Sequence, residues 1–330
     1  MKIVFAGSPA FVFPVVQFLA CEQHLSAILT NAPSEVGRGR KRLASPLAQE
    51  IIKQRETQDS TSVVSSLNTA PLLEIEHIDE NLISRIKTLD ADLLVCYAFG
   101  KIFSQTFLSL FRYGGINIHP SLLPRWRGAT PVPAAILAGD TITGVTIQTL
   151  AQKMDSGNIL AQATYTMRGN ETTESLLNIL TEKAIPLLKE ILQDFPNALA
   201  QATPQSEVGI CYCSKLKRIG IDWQKTSSEI ERTIRALYPN PKAFGILNGE
   251  HINITQAQVV EPTNNSEMSS SRALPGTILG LDKQFGILVK TKDGQVAIQR
   301  LQRSGKKELF WKDFINGFPN LIGLRFDCQD

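Results

Sequence analysis

Along the first half of the chain, short apolar runs typical of buried strands alternate with segments whose apolar residues have helical spacing. An apolar run over 2–7 predicts a buried strand that ends at a Gly-Ser-Pro turn, and apolar residues at helical spacing over 11–20 predict a helix. Further strands are predicted over 24–30, 92–97 and 115–119, and further helices over 44–56 and 80–89. Strands that alternate with helices favour an α/β, Rossmann-like domain with a mostly parallel sheet covered by helices on both faces.

The pattern changes in the second half of the chain. Two more strands are predicted over 143–150 and 158–167, and a helix over 173–195. After a stretch rich in Pro, Gln, Ala, Thr and Ser, one helix is predicted over 227–237, followed by short strands over 243–247, 252–260, 276–281, 286–290 and 295–301. We therefore predict an α/β domain over 1–195, a linker over 196–214, and a small C-terminal β-barrel domain, OB-like in its strand pattern, over 215–330.

The composition fits a folded chain of two domains. The 330 residues are 43% hydrophobic and 20% charged, which excludes disorder over most of the length. No apolar run approaches the roughly 18 residues that a membrane-spanning helix needs. The net charge is +3, but the balance is −2 over residues 1–212 and +5 over residues 213–330. The basic C-terminal third favours an anionic partner.

Cysteines and histidines show no metal-binding or disulfide pattern. The five cysteines are odd in number, and Cys211 and Cys213 form a C-x-C pair without a second pair to match it. This usage favours reduced thiols and a cytoplasmic location. The four histidines suggest no ligand cluster, so no metal is expected. The first turn lacks the G-x-G-x-x-G pattern of nicotinamide enzymes, which argues against a dehydrogenase.

Candidate chemistry begins at the end of the strand predicted over 115–119. Side chains alternate along a strand, so Asn117 and His119 project to one face while Ile116 and Ile118 anchor the other. An amide and an imidazole at the carboxyl end of such a strand could polarise a carbonyl and hold its developing oxyanion. The alternative is that Asn117 caps a turn and His119 is a hydrogen-bonded core residue.

Two loops strengthen the first interpretation. The segment 121–131 carries two arginines and a tryptophan between prolines, which is unusual for a plain surface loop. Asp155 lies in a loop between two predicted strands, where it could accept a hydrogen bond from His119 and favour the protonated ring. A simple turn residue is the alternative interpretation of Asp155.

At these positions the chain resembles a known family. The run Asn117-Ile118-His119-Pro120-Ser121-Leu122-Leu123-Pro124 is similar to the signature of folate-dependent formyltransferases, and Asp155, 36 residues after His119, lies in a matching Asp-x-Gly context. The continuation Arg125-Trp126-Arg127-Gly128-Ala129 resembles the tRNA-directed branch of that family. Weaker motifs in the second half follow in family order, so the resemblance covers nearly the whole chain.

The resemblance implies an enzyme that transfers the formyl group of 10-formyltetrahydrofolate to the free amino group of methionyl-initiator tRNA, in support of translation initiation. Asn117, His119 and Asp155 would be the catalytic residues. The first two would stabilise the tetrahedral oxyanion, and Asp155 would orient His119 and assist proton removal. The folate would lie near four consecutive residues, Ser121, Leu122, Leu123 and Pro124.

A basic segment is the candidate contact with the tRNA. Arg38, Arg40, Lys41 and Arg42 lie with two glycines after the second predicted strand, where the resemblance implies a loop that reaches the acceptor stem. Glu35 departs from the family pattern by adding a negative charge. The basic residues of the C-terminal domain could form a second surface for phosphates, which would bind the RNA backbone and make tRNA binding salt-dependent.

Other functions remain open at the level of sequence. One is an N-formyltransferase that acts on a sugar nucleotide or another small amine with the same active site. Another is a 10-formyltetrahydrofolate hydrolase or a non-catalytic tRNA-binding protein. A monomer is expected because no feature of the sequence demands symmetry.

Overall fold

The computed structural model describes residues 1–22, 24–36, 40–57, 65–261, 273–318 and 320–327. The chain divides into two compact units. The first unit comprises Met1–Pro131, Ile142–Thr166 and Leu177–Ser214. The second unit comprises Val132–Thr141, Met167–Leu176 and Lys215–Asp330.

Eleven strands lie in the described part of the first unit. They are β1 (Ile3–Ala6), β2 (Leu25–Asn31), β3 (Ser34–Val36), β4 (Lys41–Leu43), β5 (Leu72–Ile75), β6 (Leu93–Cys96), β7 (Gly115–His119), β8 (Arg127–Gly128), β9 (Ile142–Thr149), β10 (Ile159–Thr166) and β11 (Tyr212–Cys213). The helices before residue 201 are α1 (Phe13–Cys21), α2 (Pro46–Thr57), α3 (Ser65–Thr69), α4 (Glu80–Leu89), α5 (Gln105–Leu108), α6 (Pro131–Ala138), α7 (Thr173–Gln193) and α8 (Phe195–Ala200).

Seven of these strands form one sheet in the order β10-β9-β7-β6-β1-β2-β5. The five strands from β7 to β5 run parallel, and β9 is antiparallel to both β7 and β10. All residues of β1 and β6 are buried, as expected for central strands that are covered on both faces. The predicted Rossmann-like, mostly parallel sheet is confirmed.

Several elements of the first unit were not predicted. The edge strand β5 has only four residues, including an exposed glutamate, and its pairing with β2 defines it more than its own sequence does. The strands β3 and β4 form an antiparallel hairpin in the segment 31–43, whose charges and glycines predicted a loop. The strands β8 and β11 form a two-stranded parallel ladder beside the main sheet.

The second unit contains an antiparallel sheet. Its elements are α9 (Ser227–Leu237), β12 (Ala243–Leu247), β13 (Glu250–Val260), β14 (Ile278–Asp282), β15 (Gly286–Lys290), β16 (Gln295–Arg303), β17 (Glu308–Phe310) and α10 (Trp311–Phe314). The strand order is β12-β13-β16-β15-β14, and β17 pairs with β16. Two residues near the C-terminus form isolated β-bridges with the sheet. Asp327 pairs with Ile246 on β12, and Arg325 pairs with Thr277 next to β14, so this segment contacts both edges of the sheet. This arrangement is consistent with the predicted small barrel.

The helix α9 is fixed at its N-terminus by side chains. Thr226 and Glu229 form a capping box, because each side chain binds the backbone N–H of the other residue. The carboxylate of Asp293 accepts from the Ser227 backbone N–H at 2.8 Å and from the Ser227 hydroxyl at 3.1 Å. The backbone hydrogen bond from Ser227 is the main reason that the pKa of Asp293 lies below its ordinary value.

Candidate active site

The register between β7 and β9 gathers polar side chains on one face of the sheet. Asn117 lies opposite Gln148, and His119 lies opposite Thr146. Residues opposite each other in an antiparallel pair share a face, so these four side chains are neighbours at the carboxyl end of β7. Gln148 and Thr146 are fully buried, whereas Asn117 is partly exposed.

The loop between β9 and β10 brings Asp155 to the same face. Asp155 has a φ of 50°, in the left-handed region that aspartate tolerates better than most residues. Two residues later, a Cβ on Gly157 would lie only 1.7 Å from the carbonyl oxygen of Thr149. Only glycine allows the loop to approach β9 this closely, which accounts for the Asp-x-Gly spacing.

The Asp155 carboxylate is held firmly at two points. Its Oδ2 accepts from the Gly128 backbone N–H at 2.8 Å, and its Oδ1 accepts from Gln148 Nε2 at 3.1 Å. The side chain is only 13% exposed, so these hydrogen bonds compensate for much of the water that the carboxylate has lost.

Asn117 and His119 face the same carboxylate oxygen at longer range. Asn117 Nδ2 lies 3.4 Å from Asp155 Oδ1, and His119 Nδ1 lies 3.6 Å from it. The second distance exceeds that of a well-formed hydrogen bond, and the first is at the limit. Asp155 therefore orients both donors without fully engaging them, and an additional oxygen acceptor could bind between them.

The other nitrogen of His119 is fixed by the loop after β7. His119 Nε2 and the carbonyl oxygen of Trp126 are 2.8 Å apart, and because a carbonyl only accepts, Nε2 carries a proton. The ring is buried with 4% of the residue exposed. The other ring nitrogen, Nδ1, faces the Asp155 carboxylate at 3.6 Å.

The four predicted folate-binding residues lie in two different environments. Ser121 and Leu123 are buried, and the Ser121 hydroxyl donates to the Arg125 carbonyl at 2.7 Å. Thr146 ties this loop to β9, because its hydroxyl donates to the Ser121 carbonyl at 2.7 Å and accepts from the Leu123 N–H at 3.1 Å. Leu122 and Pro124 are partly exposed. Hydrogen bonds to β9 thus hold the loop in place, while the apolar side chains of Leu122 and Pro124 remain partly accessible to solvent.

Comparison with known proteins shows which family this chain matches. Residues 1–192 match the family model described as formyl transferase, and residues 217–319 match its C-terminal domain. The chain belongs to the formyl transferase family.

Its relatives include several methionyl-tRNA formyltransferases. The protein of that name from Treponema denticola is 46% identical, with 99% of this chain and 100% of the relative covered. Those from Treponema pallidum and Methylobacillus flagellatus are 41% and 37% identical, with 98% and 99% of each chain covered.

Solved structures share the fold. HypX from Aquifex aeolicus in complex with tetrahydrofolic acid superposes with a TM-score of 0.63 at 19% identity, and the alignment covers 100% of this chain and 51% of that one. This chain therefore spans about half the length of HypX. An N-formyltransferase from Helicobacter canadensis, in complex with folinic acid and dTDP-3-aminofucose, superposes with a TM-score of 0.60 at 18% identity over 92% of this chain and 99% of that one.

Two thiols close to this candidate site are held neutral. Burial raises the pKa of Cys96 to about 12 and also raises the pKa of Cys213. The negative charge of Asp155 adds to both shifts. A neutral thiol is a poor nucleophile, so neither cysteine is suited to form a covalent intermediate at neutral pH.

Two of the four predicted tRNA-binding residues lie on β4, and Arg40 directly precedes that strand. Lys41 and Arg42 are exposed on β4, and Arg42 donates to the Pro33 carbonyl at 3.3 Å. Arg40 pairs with Glu35 at 3.5 Å, which gives the unexpected glutamate a partner. Arg38 lies outside the described residues.

In the second unit, three basic residues surround one open depression of about 400 Å³. They are Arg218, Arg303 and Lys306. Arg303 makes a two-point ion pair with Glu250 at 2.7 and 2.9 Å. Lys306 supplies a cation at the same depression, so part of the basic C-terminal sequence is brought together in space.

The described ranges contain no group of three or more His, Cys, Asp or Glu side chains placed to hold a metal ion. No helix among the same residues is long and apolar enough to cross a bilayer.

Sequence reasoning missed three polar residues that organise the site: Gln148, Thr146 and Gln205. The first two lie on a predicted strand, and alternation could have placed them on the face of Asn117 and His119 once the pairing was known. Gln205 lies in the segment predicted as a linker, and no local pattern distinguishes it from the other glutamines there.

Proposed function

We propose that this protein transfers the formyl group of 10-formyltetrahydrofolate to the amino group of methionyl-initiator tRNA. The named relatives, which match along nearly the full chain, support this acceptor. The observation that supports the chemistry is the pair of long contacts, 3.4 Å from Asn117 and 3.6 Å from His119, beside a firmly held carboxylate. Two oriented donors that are not fully engaged can bind an oxygen that becomes negative during the reaction.

The reaction begins when the neutral amine of the methionyl group attacks the formyl carbon. A C–N bond forms, the carbonyl electrons move to the formyl oxygen, and Asn117 and His119 donate to that oxyanion. Asp155 takes the proton that the amine loses, directly or through a water molecule. The oxyanion electrons then re-form the carbonyl, the bond from the formyl carbon to N10 of the folate breaks, and N10 leaves as an amine after it gains the proton that Asp155 had taken.

The folate donor would bind beside the loop 121–124. Leu122 and Pro124 present partly exposed apolar surface there, which suits the flat face of a pterin ring. Ser121 and Leu123 would act indirectly, because their burial and hydrogen bonds keep the loop in place. We also propose that the donor chemistry requires no metal ion, since the donors and the base described above suffice for formyl transfer.

The tRNA would bind through basic residues of both units. Arg38, Arg40, Lys41 and Arg42 would contact the acceptor stem, and the exposure of the last three suits a contact with phosphates. The cations around the depression in the second unit would add contacts to the RNA backbone.

An acceptor panel tests this function directly. Purified protein is incubated with 10-formyltetrahydrofolate and with charged initiator tRNA, uncharged tRNA, elongator methionyl-tRNA or amino-sugar nucleotides. We expect rapid formylation of the charged initiator tRNA and little reaction with the others. Preferred formylation of an amino-sugar nucleotide would identify a small-amine transferase, and release of formate without any acceptor would identify a hydrolase.

We further propose that the enzyme is a cytoplasmic monomer. Light scattering coupled to gel filtration should give a mass close to the 36.4 kDa of the chain. A mass near twice that value would show a dimer. Fractionation of cells that express the tagged protein should place it with cytoplasmic markers.

A further inference from the structure

One side chain from the segment before β11 reaches the Asp155 loop. Gln205 makes five side-chain hydrogen bonds, all to residues of the first unit. Its Oε1 accepts from Arg127 Nε at 3.0 Å and from Arg127 Nη2 at 2.7 Å. Its Nε2 donates to Gln148 Oε1 at 3.0 Å, to the Asp155 carbonyl at 2.9 Å and to the Gly157 carbonyl at 2.8 Å, so one of its two hydrogens is shared between two acceptors.

The orientation of the Gln205 amide is fixed by the chemistry of its neighbours. The Arg127 guanidinium can only donate, so the oxygen of Gln205 must face it. Backbone carbonyls can only accept, so the nitrogen of Gln205 must face Asp155 and Gly157. A carboxylate or an apolar side chain at position 205 could not satisfy both sides.

These contacts act on both points that hold the Asp155 carboxylate. Gln205 positions Gln148, which donates to Asp155 Oδ1 at 3.1 Å. Gln205 also binds the buried side chain of Arg127. The next residue is Gly128, and the backbone N–H of Gly128 donates to Asp155 Oδ2 at 2.8 Å. The same amide holds the backbone of the Asp155 loop, so one side chain contacts Gln148, the residue before Gly128 and the loop that carries the carboxylate.

We propose that Gln205 is a positioning residue for formyl transfer. It holds Asp155 at the distance from which the carboxylate orients Asn117 and His119. The proposal rests on the proposed function and assigns a role to a segment outside the sequence motif of the active site. Gln205 itself touches neither substrate in this account.

The substitution Gln205→Glu keeps an acceptor for Arg127 but removes the donor to the other neighbours of Gln205. A carboxylate keeps an acceptor for Arg127, but it places a second oxygen against the acceptors on Gln148, Asp155 and Gly157. We expect kcat to fall about 10- to 100-fold, the scale of a small displacement of a catalytic group. The KM for each substrate should change less than about threefold, because the binding surfaces are not altered.

The control is Gln201→Glu, the same change at an exposed glutamine in the same segment, which should retain wild-type kcat.

An activity-independent measurement tests the same idea. In the Gln205→Glu protein the backbone amide of Gly128 should exchange with solvent deuterium at least about tenfold faster, because its acceptor on Asp155 is displaced. This measurement decides on the positioning role even if the wild-type protein fails to formylate tRNA, an outcome that would reject the proposed function alone. If Gln205→Glu does not fold, Gln205→Met, which has a similar shape without hydrogen bonds, should show the same loss of kcat and the same faster exchange.

Three results would overturn the proposal. The first is a kcat within about twofold of wild type in a folded Gln205 variant. The second is a lower kcat with unchanged Gly128 exchange, which would separate the effect from Asp155. The third is a rise in KM without a change in kcat, which would make Gln205 a substrate-binding residue.

Discussion

The substitution Asp155→Asn tests the role of the carboxylate with the least change in shape. Asparagine tolerates the left-handed backbone as well as aspartate does, so the φ of 50° adds no strain. The amide oxygen can still accept from Gly128 N, but its NH₂ group then faces the donors of Gln148, Asn117 and His119. The variant therefore loses the charge, the proton acceptor and at least one hydrogen bond.

The size of the effect follows from these losses. A hydrogen bond to a charged group contributes about 1.5–3 kcal/mol, which corresponds to roughly 10- to 100-fold in rate if it is lost only in the transition state. A general base contributes about 10²- to 10⁴-fold. Because the two losses concern one group and do not simply add, we expect kcat to fall about 10³-fold, with a change of less than about threefold in the KM of the folate.

The assay is steady-state formylation of methionyl-initiator tRNA at several folate concentrations, which gives kcat and the KM of the folate. Asp90→Asn is a matched control, since Asp90 has a similar φ of 47° and its side chain is 94% exposed. That variant should retain wild-type rates. A kcat for Asp155→Asn within about tenfold of wild type, in a protein with a normal melting transition, would refute the assigned role of the carboxylate.

The remaining predictions concern the same site and the two units. Asn117→Ala and His119→Ala should each lower kcat at least about 100-fold, and near-normal rates in both would remove the oxyanion mechanism. Gly157→Ala should lower both stability and kcat, because its Cβ would lie 1.7 Å from a carbonyl oxygen; a variant that melts and reacts like wild type would contradict this. Asp293→Asn should destabilise the second unit by roughly 0.5 kcal/mol at pH 7, because it replaces charge-assisted hydrogen bonds by neutral ones at an exposed side chain whose charge is partly screened by solvent. Since folding lowers the pKa of Asp293 from 3.8, this difference should be lost as the pH falls from 3.8 through the lower pKa of the folded state, as urea unfolding at several pH values can show. Binding of tRNA should weaken steeply as salt rises, and a flat response in a filter-binding assay would argue against phosphate contacts.

Much of the fold was predictable because its signals are local. The strands β1 and β6 are short apolar runs, β7 alternates apolar and polar residues, and α4 and α9 begin and end at the predicted residues. The edge strand β5 and the β3–β4 hairpin were missed, since each depends on a pairing partner more than on its own residues.

The candidate site was predictable to the extent that it is compact in sequence. Asn117 and His119 share one strand, and Asp155 was proposed from its place in a loop between two predicted strands and from the Asp-x-Gly context of the family resemblance. Gln148 and Gln205 were missed because contacts across the fold determine their roles. Glutamine is common on surfaces, and only the hydrogen bonds to Asp155 and Arg127 distinguish these two.

The most direct test of the central claim is a crystal structure of the protein with a stable 10-formyl folate analogue. We expect the formyl oxygen to lie within about 3.1 Å of Asn117 Nδ2 and in hydrogen-bonding reach of the His119 ring, with the Asp155 carboxylate beside the formyl carbon. A formyl group bound elsewhere, or an oxygen held only by groups other than Asn117 and His119, would contradict the account.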